Sequence, residues 1–218
     1  MAKKYIFSDE AGCFTFRRAP NISKYFIVCT LTTGSCDVGH SLLNLRRKLV
    51  WDGAPLGNYF HASTDKQIVR DAVFEEICKH PFFIQATIME KSKARPQVSI
   101  SKDRVYKTGW YFHFKHSLEP HTNPNDEYQI TAASIGTKKS QAVFTNAVND
   151  VIQQHLPRDQ WATFFCAAAA DPCLQVVDYC TWAIQRKWER GDVQSYNLIK
   201  DRITYEYDLW SHGTKHQY

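Results

Sequence analysis

Two groups of acids stand out by position. Asp9 and Glu10 close a short, mostly apolar run over residues 4–8 and open the turn Asp9-Glu10-Ala11-Gly12. Asp178 lies far along the chain, inside a stretch that runs from Asp171 to Asp192. Carboxylates that converge in a half-buried place repel each other, and they either share a proton or bind a divalent cation. For phosphodiester hydrolysis the cation is the useful outcome, because it can acidify an attacking water and stabilise the leaving oxygen. Mg²⁺ or Mn²⁺ is therefore the expected cofactor, with Asp9 and Asp178 as its ligands. The competing reading of Asp178 is a helix-edge acid partnered by an arginine or an amide.

The elements that must bring these acids together have local signals. Asp171 can cap a helix, Pro172 suits its first position, and Gly191 suits its end. At 100° per residue Leu174, Val177, Cys180, Thr181, Ile184 and Trp188 share an apolar face, with Asp178 at its edge. Asp171 is then a cap first and a reserve ligand second. The 4–8 run reads as a buried strand that delivers Asp9 at its end. Glu10 alternates to the other side of that strand if the strand continues, unless the Ala11-Gly12 turn swings it inward.

Further strands are expected over residues 13–16 and 24–32, so that the chain opens as a three-strand meander, and others over 58–62, 82–89, 127–134 and 161–167. Helices are expected from Asp37 to about residue 50, and from Ser63 or Thr64 to about residue 79 with Ile68, Val73, Phe74 and Ile77 inward. Two more are expected over about 103–118, rich in aromatics, and from about residue 140 to about 155. Residues 91–102 are polar and basic around Pro96 and read as an exposed loop able to touch phosphates. This order implies one α/β domain with the outline of a ribonuclease H-like mixed sheet, an antiparallel edge meander and helices on both faces. Residues 193–218 would form a C-terminal extension packed on it.

Other candidates carry weaker signals. Gly136-Thr137-Lys138-Lys139-Ser140 is a basic turn before a helix, so Lys138 and Lys139 are candidate phosphate contacts, against the plainer reading of two solvated lysines. His61 is a candidate substrate-binding or catalytic group with Asp65 four residues on, or a histidine that only supports a neighbour. His113 and His116, at i and i+3, could ligate a metal, although satisfied histidines are commoner. Seven cysteines, an odd number without a Cys-x-x-Cys pair, argue against a disulfide framework or a zinc ribbon.

The formal charge of +5 permits a nucleic-acid partner without requiring one. No apolar run is long enough to span a bilayer and the start has no long apolar core, so a cytoplasmic protein is expected.

Three segments together resemble a known family. Ser8-Asp9-Glu10-Ala11-Gly12, Phe60-His61-Ala62 and Leu174-Gln175-Val176-Val177-Asp178-Tyr179 resemble the bacterial family catalogued as domain of unknown function 3800. The likeness spans nearly the whole chain. It implies a ribonuclease H-like fold and a metal-dependent nuclease, often in mobile-element or defence contexts, with the acids falling on Asp9, Glu10 and Asp178. Ala11 stands where that family commonly has serine, which removes a hydroxyl able to orient a ligand or water. The alternative function is a non-catalytic module that binds nucleic acid or protein on the same fold.

Overall fold

The structure, a computed structural model, describes residues 2–123, 125–133 and 138–218, without the side chains of residues 119, 138–140, 143 and 144. Among these residues six strands form one sheet: β1 (Lys3–Ala11), β2 (Tyr25–Thr33), β3 (Phe83–Glu90), β4 (Glu127–Ala133), β5 (Trp161–Cys166) and β6 (Ile203–Asp208). Their order across the sheet is β5-β4-β1-β2-β3-β6. β2 runs antiparallel to both its neighbours, β1 and β3, while β4 runs parallel to β1, β5 parallel to β4 and β6 parallel to β3. This is a ribonuclease H-like fold, with β1 near the middle and β6 added as an outer strand.

Among the described residues seven α-helices accompany it: α1 (Asp37–Trp51), α2 (Gln67–Ile77), α3 (Pro96–Ser99), α4 (Lys102–His113), α5 (Lys138–Ile152), α6 (Pro172–Arg190) and α7 (Tyr196–Ile199). Helices α1, α2 and α6 cover one face, packing Leu42, Val73, Phe74, Val177 and Ile184 onto Phe7, Ile27, Leu31 and Ile84. Helices α4 and α5 cover the other, packing Tyr106, Trp110, Val148 and Val151 onto Ile6, Val28 and Ile130. Strand alternation decides the allegiance of each residue: Phe7 points to the α6 side and Ile6 to the α4 side. A side chain at Gly109 would sit 3.1 Å from both Met89 and Val28, so glycine lets α4 lie close to the sheet.

The expected meander is real but its members differ. Residues 13–16 are not a strand. Their carbonyls have another partner, because Lys91 Nζ donates to the carbonyls of Cys13 at 3.0 Å and Thr15 at 2.9 Å. Lys91 is only 1% exposed, so the start of the 91–102 stretch is enclosed, whereas Arg95, Pro96, Gln97 and Lys102 are exposed as expected. The stretch carries a short 3₁₀ turn (Lys91–Lys93) and α3. The third strand of the meander is β3, reached after α1 and α2.

Residues 58–62 are also not a strand, and helix α2 begins at Gln67, four residues later than Ser63. On α2 it is Val69 that is buried, whereas Ile68 is 66% exposed. Within the C-terminal segment, β6 pairs along β3 and belongs to the sheet. Among the described residues no helix is long and apolar enough to cross a membrane.

Candidate active site

Helix α6 has the ends its sequence announces. The Asp171 carboxylate accepts from the Cys173 amide at 2.8 Å, Pro172 occupies the first turn, and Gly191 adopts the left-handed conformation at φ 68°. Between them α6 lies across β1 and β2, with Leu174, Val177 and Cys180 fully buried. Asp178 is thereby held at the rim of the core, its side chain 14% exposed.

Strand β1 continues to Ala11 and stops at Gly12, where φ is 97°. Any side chain there would approach the Tyr25 carbonyl to 2.2 Å, so the turn tolerates no Cβ. Because the strand continues, Asp9 keeps the parity of Phe7 and faces α6, while Glu10 keeps the parity of Ile6 and faces α4.

Asp9 and Asp178 lie near enough for their charges to interact. The Asp9 carboxyl is held well above the usual carboxylate range, first by burial, then by the Asp178 charge and then by Glu10. Glu10 has a different environment. Burial pushes its carboxyl up to about 7, against the opposing pull of the Tyr106 hydroxyl and the Trp110 indole N–H on α4. The two adjacent acids therefore serve opposite faces of the sheet, and Glu10 does not stand beside Asp178.

The loop between α1 and α2 completes the site, and α6 gives that loop its shape. The Phe60 amide donates to Gln175 Oε1 at 3.2 Å, and Gln175 in turn donates to the Ala168 carbonyl at 3.1 Å. Asp178 Oδ1 accepts from His61 Nδ1 at 2.9 Å, and Oδ2 accepts from the Ala62 amide at 2.8 Å. Asp65, buried before α2, accepts from the His61 amide at 2.8 Å and from the Tyr179 hydroxyl. The amides of 60–62 are thus satisfied by side chains more than one hundred residues away or by the nearby Asp65, which is why this stretch needs no strand partner.

His61 is half-exposed, and its pKa is raised chiefly by the hydrogen bond to Asp178. Its Nδ1–H points at the carboxylate in both charge states, and Nε2 lies 2.9 Å from Ser63 Oγ. Gln175, Tyr179 and Ser63 belong to this hydrogen-bond network, which residue type alone does not reveal. Their only sequence signal is that Gln175 and Tyr179 flank Asp178 inside one motif.

The remaining candidates separate from this centre. His113 is fully buried beneath the sheet, with Nε2 on Thr30 at 2.9 Å and Nδ1 between Thr87 at 3.0 Å and Ser117 at 3.1 Å. Both its ring nitrogens are occupied by hydroxyls, and His116 stacks on Phe112, so the pair does not form a ligand set. The side chains of Lys138 and Lys139, and the turn at 136–137, lie outside the described residues. The seven cysteines are free thiols.

Among the described residues no three His, Cys, Asp or Glu side chains converge as a ready metal cage. The pair Asp9–Asp178 fits a more modest donor set. Mg²⁺ is commonly held by one or two carboxylates, with water and substrate phosphate filling the rest of its shell. Each carboxylate oxygen offers about two lone-pair sites, so His61 and Ala62 leave Asp178 capacity on both oxygens.

No protein-family model matches the chain, and no curated protein matches it. Among solved structures, the PCNA:RNase HII complex from Archaeoglobus fulgidus contains a chain similar to this one at a TM-score of 0.46 and 12% identity, over 92% of this chain and 78% of that chain. A likeness that distant says nothing about activity or residues, and the site stands on its own geometry.

Proposed function

We propose that the protein is a divalent-metal-dependent nuclease that hydrolyses phosphodiester bonds of DNA or RNA, and that it belongs with the bacterial domain-of-unknown-function 3800 family. One observation carries the reading. Asp9, at the end of a central strand, faces Asp178 on α6 closely enough that their charges repel, and the half-exposed His61 supplies the basic group beside Asp178. Folding two carboxylates against each other is unfavourable unless a proton or a cation offsets it.

In this reading Asp9 and Asp178 hold Mg²⁺ or Mn²⁺. Bound there, the ion would lower the pKa of an attacking water and offset charge on the leaving oxygen. The chain's own contribution is positional. Strand β1 fixes Asp9, while the Ala62 amide and His61 Nδ1 fix the plane of the Asp178 carboxylate, as partners behind a metal ligand do. Protonated, His61 also places a positive charge where a phosphate would approach.

The test is cleavage of single- and double-stranded DNA and RNA with Mg²⁺ or Mn²⁺, comparing the wild type with Asp9→Ala and Asp178→Asn. Loss of cleavage in both variants is expected. Cleavage that survives both substitutions would remove the site assignment.

A second reading, a non-catalytic nucleic-acid- or protein-binding module, draws on the fact that both Asp178 oxygens already accept protein donors and clip the 60–62 loop. It predicts nucleic-acid binding without cleavage, and no heat of Mg²⁺ binding in calorimetry.

A further inference from the structure

A cavity of about 640 Å³ opens along the second half of α6, with Ser63, Gln67 and Arg70 on its other side. Counted from Asp178, the lining residues Trp182, Gln185 and Glu189 fall at i+4, i+7 and i+11, one stripe of the helix. At a rise of about 1.5 Å per residue this stripe extends about 16 Å beyond Asp178. Ser63 lines the cavity and also contacts His61 Nε2 at 2.9 Å, and His61 holds Asp178. The cavity thus follows the helix stripe on which Asp178 stands and reaches Ser63, two hydrogen bonds from that carboxylate.

The walls have a specific chemistry. The guanidinium groups of Arg70 and Arg186 lie over the Trp182 ring, 5.0 Å and 5.5 Å from its centroid. Arg70 is anchored by the carbonyls of Ala62 and Asp65 and by Gln67, so its position is fixed while no ion pair among the described residues neutralises its charge. Arg190 stands exposed at the far end. The two acids of the cavity are already engaged: Glu189 accepts from the amides of Lys24 at 3.1 Å and Tyr25 at 2.9 Å, and Asp192 is paired with Arg186. With Asp192 paired to Arg186, the unpaired charges are Arg70 and Arg190 against Glu189, whose amide partners hold it in place without cancelling its charge, so the lining keeps a net positive charge.

We infer that this groove binds a single strand of nucleic acid and leads it along α6 to the Asp9–Asp178 pair. Its role as a substrate track rests on the nuclease reading, whereas the binding does not. Cations held over an indole ring form a layered platform on which an unpaired base can stack, and unpaired phosphates supply the charge that Arg70 and Arg190 lack. A duplex hides its base faces and cannot use such a platform.

The experiment is fluorescence anisotropy of labelled single-stranded and duplex oligonucleotides in EDTA, where no cleavage can occur. The full chain is compared with Trp182→Ala, Arg190→Glu, Asp9→Ala and a control, Lys48→Glu, on the exposed side of α1. Binding of a single strand in preference to the duplex is expected. Trp182→Ala and Arg190→Glu should each weaken it about tenfold or more, the size of a lost stack or phosphate contact. Lys48→Glu should change it less than about twofold, as expected for a charge outside the groove.

Circular dichroism separates unfolding of Trp182→Ala from loss of the platform, and Arg190→Glu, at an exposed helix end, tests the groove independently. Preference for the duplex, absence of binding, or equal losses in Lys48→Glu and Arg190→Glu would overturn the inference. The two readings fail differently. Groove-dependent binding without cleavage in Mg²⁺ sinks the nuclease and keeps the groove, while cleavage that depends on Asp9 but not on Trp182 or Arg190 does the reverse.

Discussion

Replacing Glu10 by glutamine should stabilise the protein above neutral pH and leave it nearly unchanged in mild acid. The Glu10 carboxyl is pushed from 4.5 to about 7, mainly by burial against α4. At about 1.4 kcal/mol per pH unit, that displacement amounts to about 3 kcal/mol when the group is forced to ionise in the native state. The sign follows from proton binding. Between 4.5 and about 7 the folded chain holds this proton and the unfolded chain does not, so stability falls as pH rises through that window and is flat beyond it.

Glutamine keeps the shape beside Tyr106 and Trp110, but it never ionises. Urea unfolding at about pH 5 should therefore find the variant and wild type within about 1 kcal/mol, and at about pH 8 the variant should be more stable by about 2–3 kcal/mol. For a chain of this length the gain corresponds to a rise of about 5–10 °C in Tm. Removing the Glu10 charge also relieves Asp9, which adds to the effect. A difference of the same size at both pH values, or a variant less stable than wild type at the higher pH, would refute the account of Glu10 as a buried and destabilising acid.

Three further outcomes follow from the geometry. His113, buried neutral, has its pKa pushed down to about 3, so the stability it permits above 6.5 should be lost as pH falls from 6.5 toward 3, by up to about 4–5 kcal/mol, and a Tm–pH series on wild type and His113→Gln will show whether the acid slope is removed. Gly12→Ala should destabilise by at least about 1–3 kcal/mol in chemical denaturation, because φ is 97° and the Tyr25 carbonyl occupies the space of a Cβ; a neutral result would mean that the turn can rearrange. His61→Ala should lower Mg²⁺ affinity or cleavage about 10- to 100-fold, the usual effect of losing a partner behind a metal ligand, measured by calorimetry and by the nuclease assay.

What the sequence made legible was what it encodes locally. The ends of α6 are written in Asp171, Pro172 and Gly191, each acting within a residue or two of its own position, and the structure places both ends there. The opposite orientation of Glu10 also follows from strand parity once β1 is seen to run through Ala11. Residues 13–16 and 58–62 have strand-like composition but settle as irregular segments, because their polar backbone is satisfied from afar. Lys91 reaches the first segment, and Gln175 and Asp178 reach the second, across gaps of 76 to 116 residues. No local pattern contains such information. Lys91 illustrates the same point from the other side: basic composition reads as solvated, yet its aliphatic stem and ammonium are enclosed.

The dependence of the 60–62 loop on α6 also sets when a site can exist. His61 leaves the ribosome 117 residues before Asp178, which at about 5–20 residues per second is a delay of roughly 6–23 s. Through that interval the loop amides lack Gln175 and Asp178, Asp65 lacks Tyr179, and Asp9 has no opposing carboxylate. The nascent chain has no carboxylate pair to offer, however well its early strands have formed. Whatever the Asp9–Asp178 pair does therefore waits for α6, and order of synthesis alone keeps an unfinished chain without it.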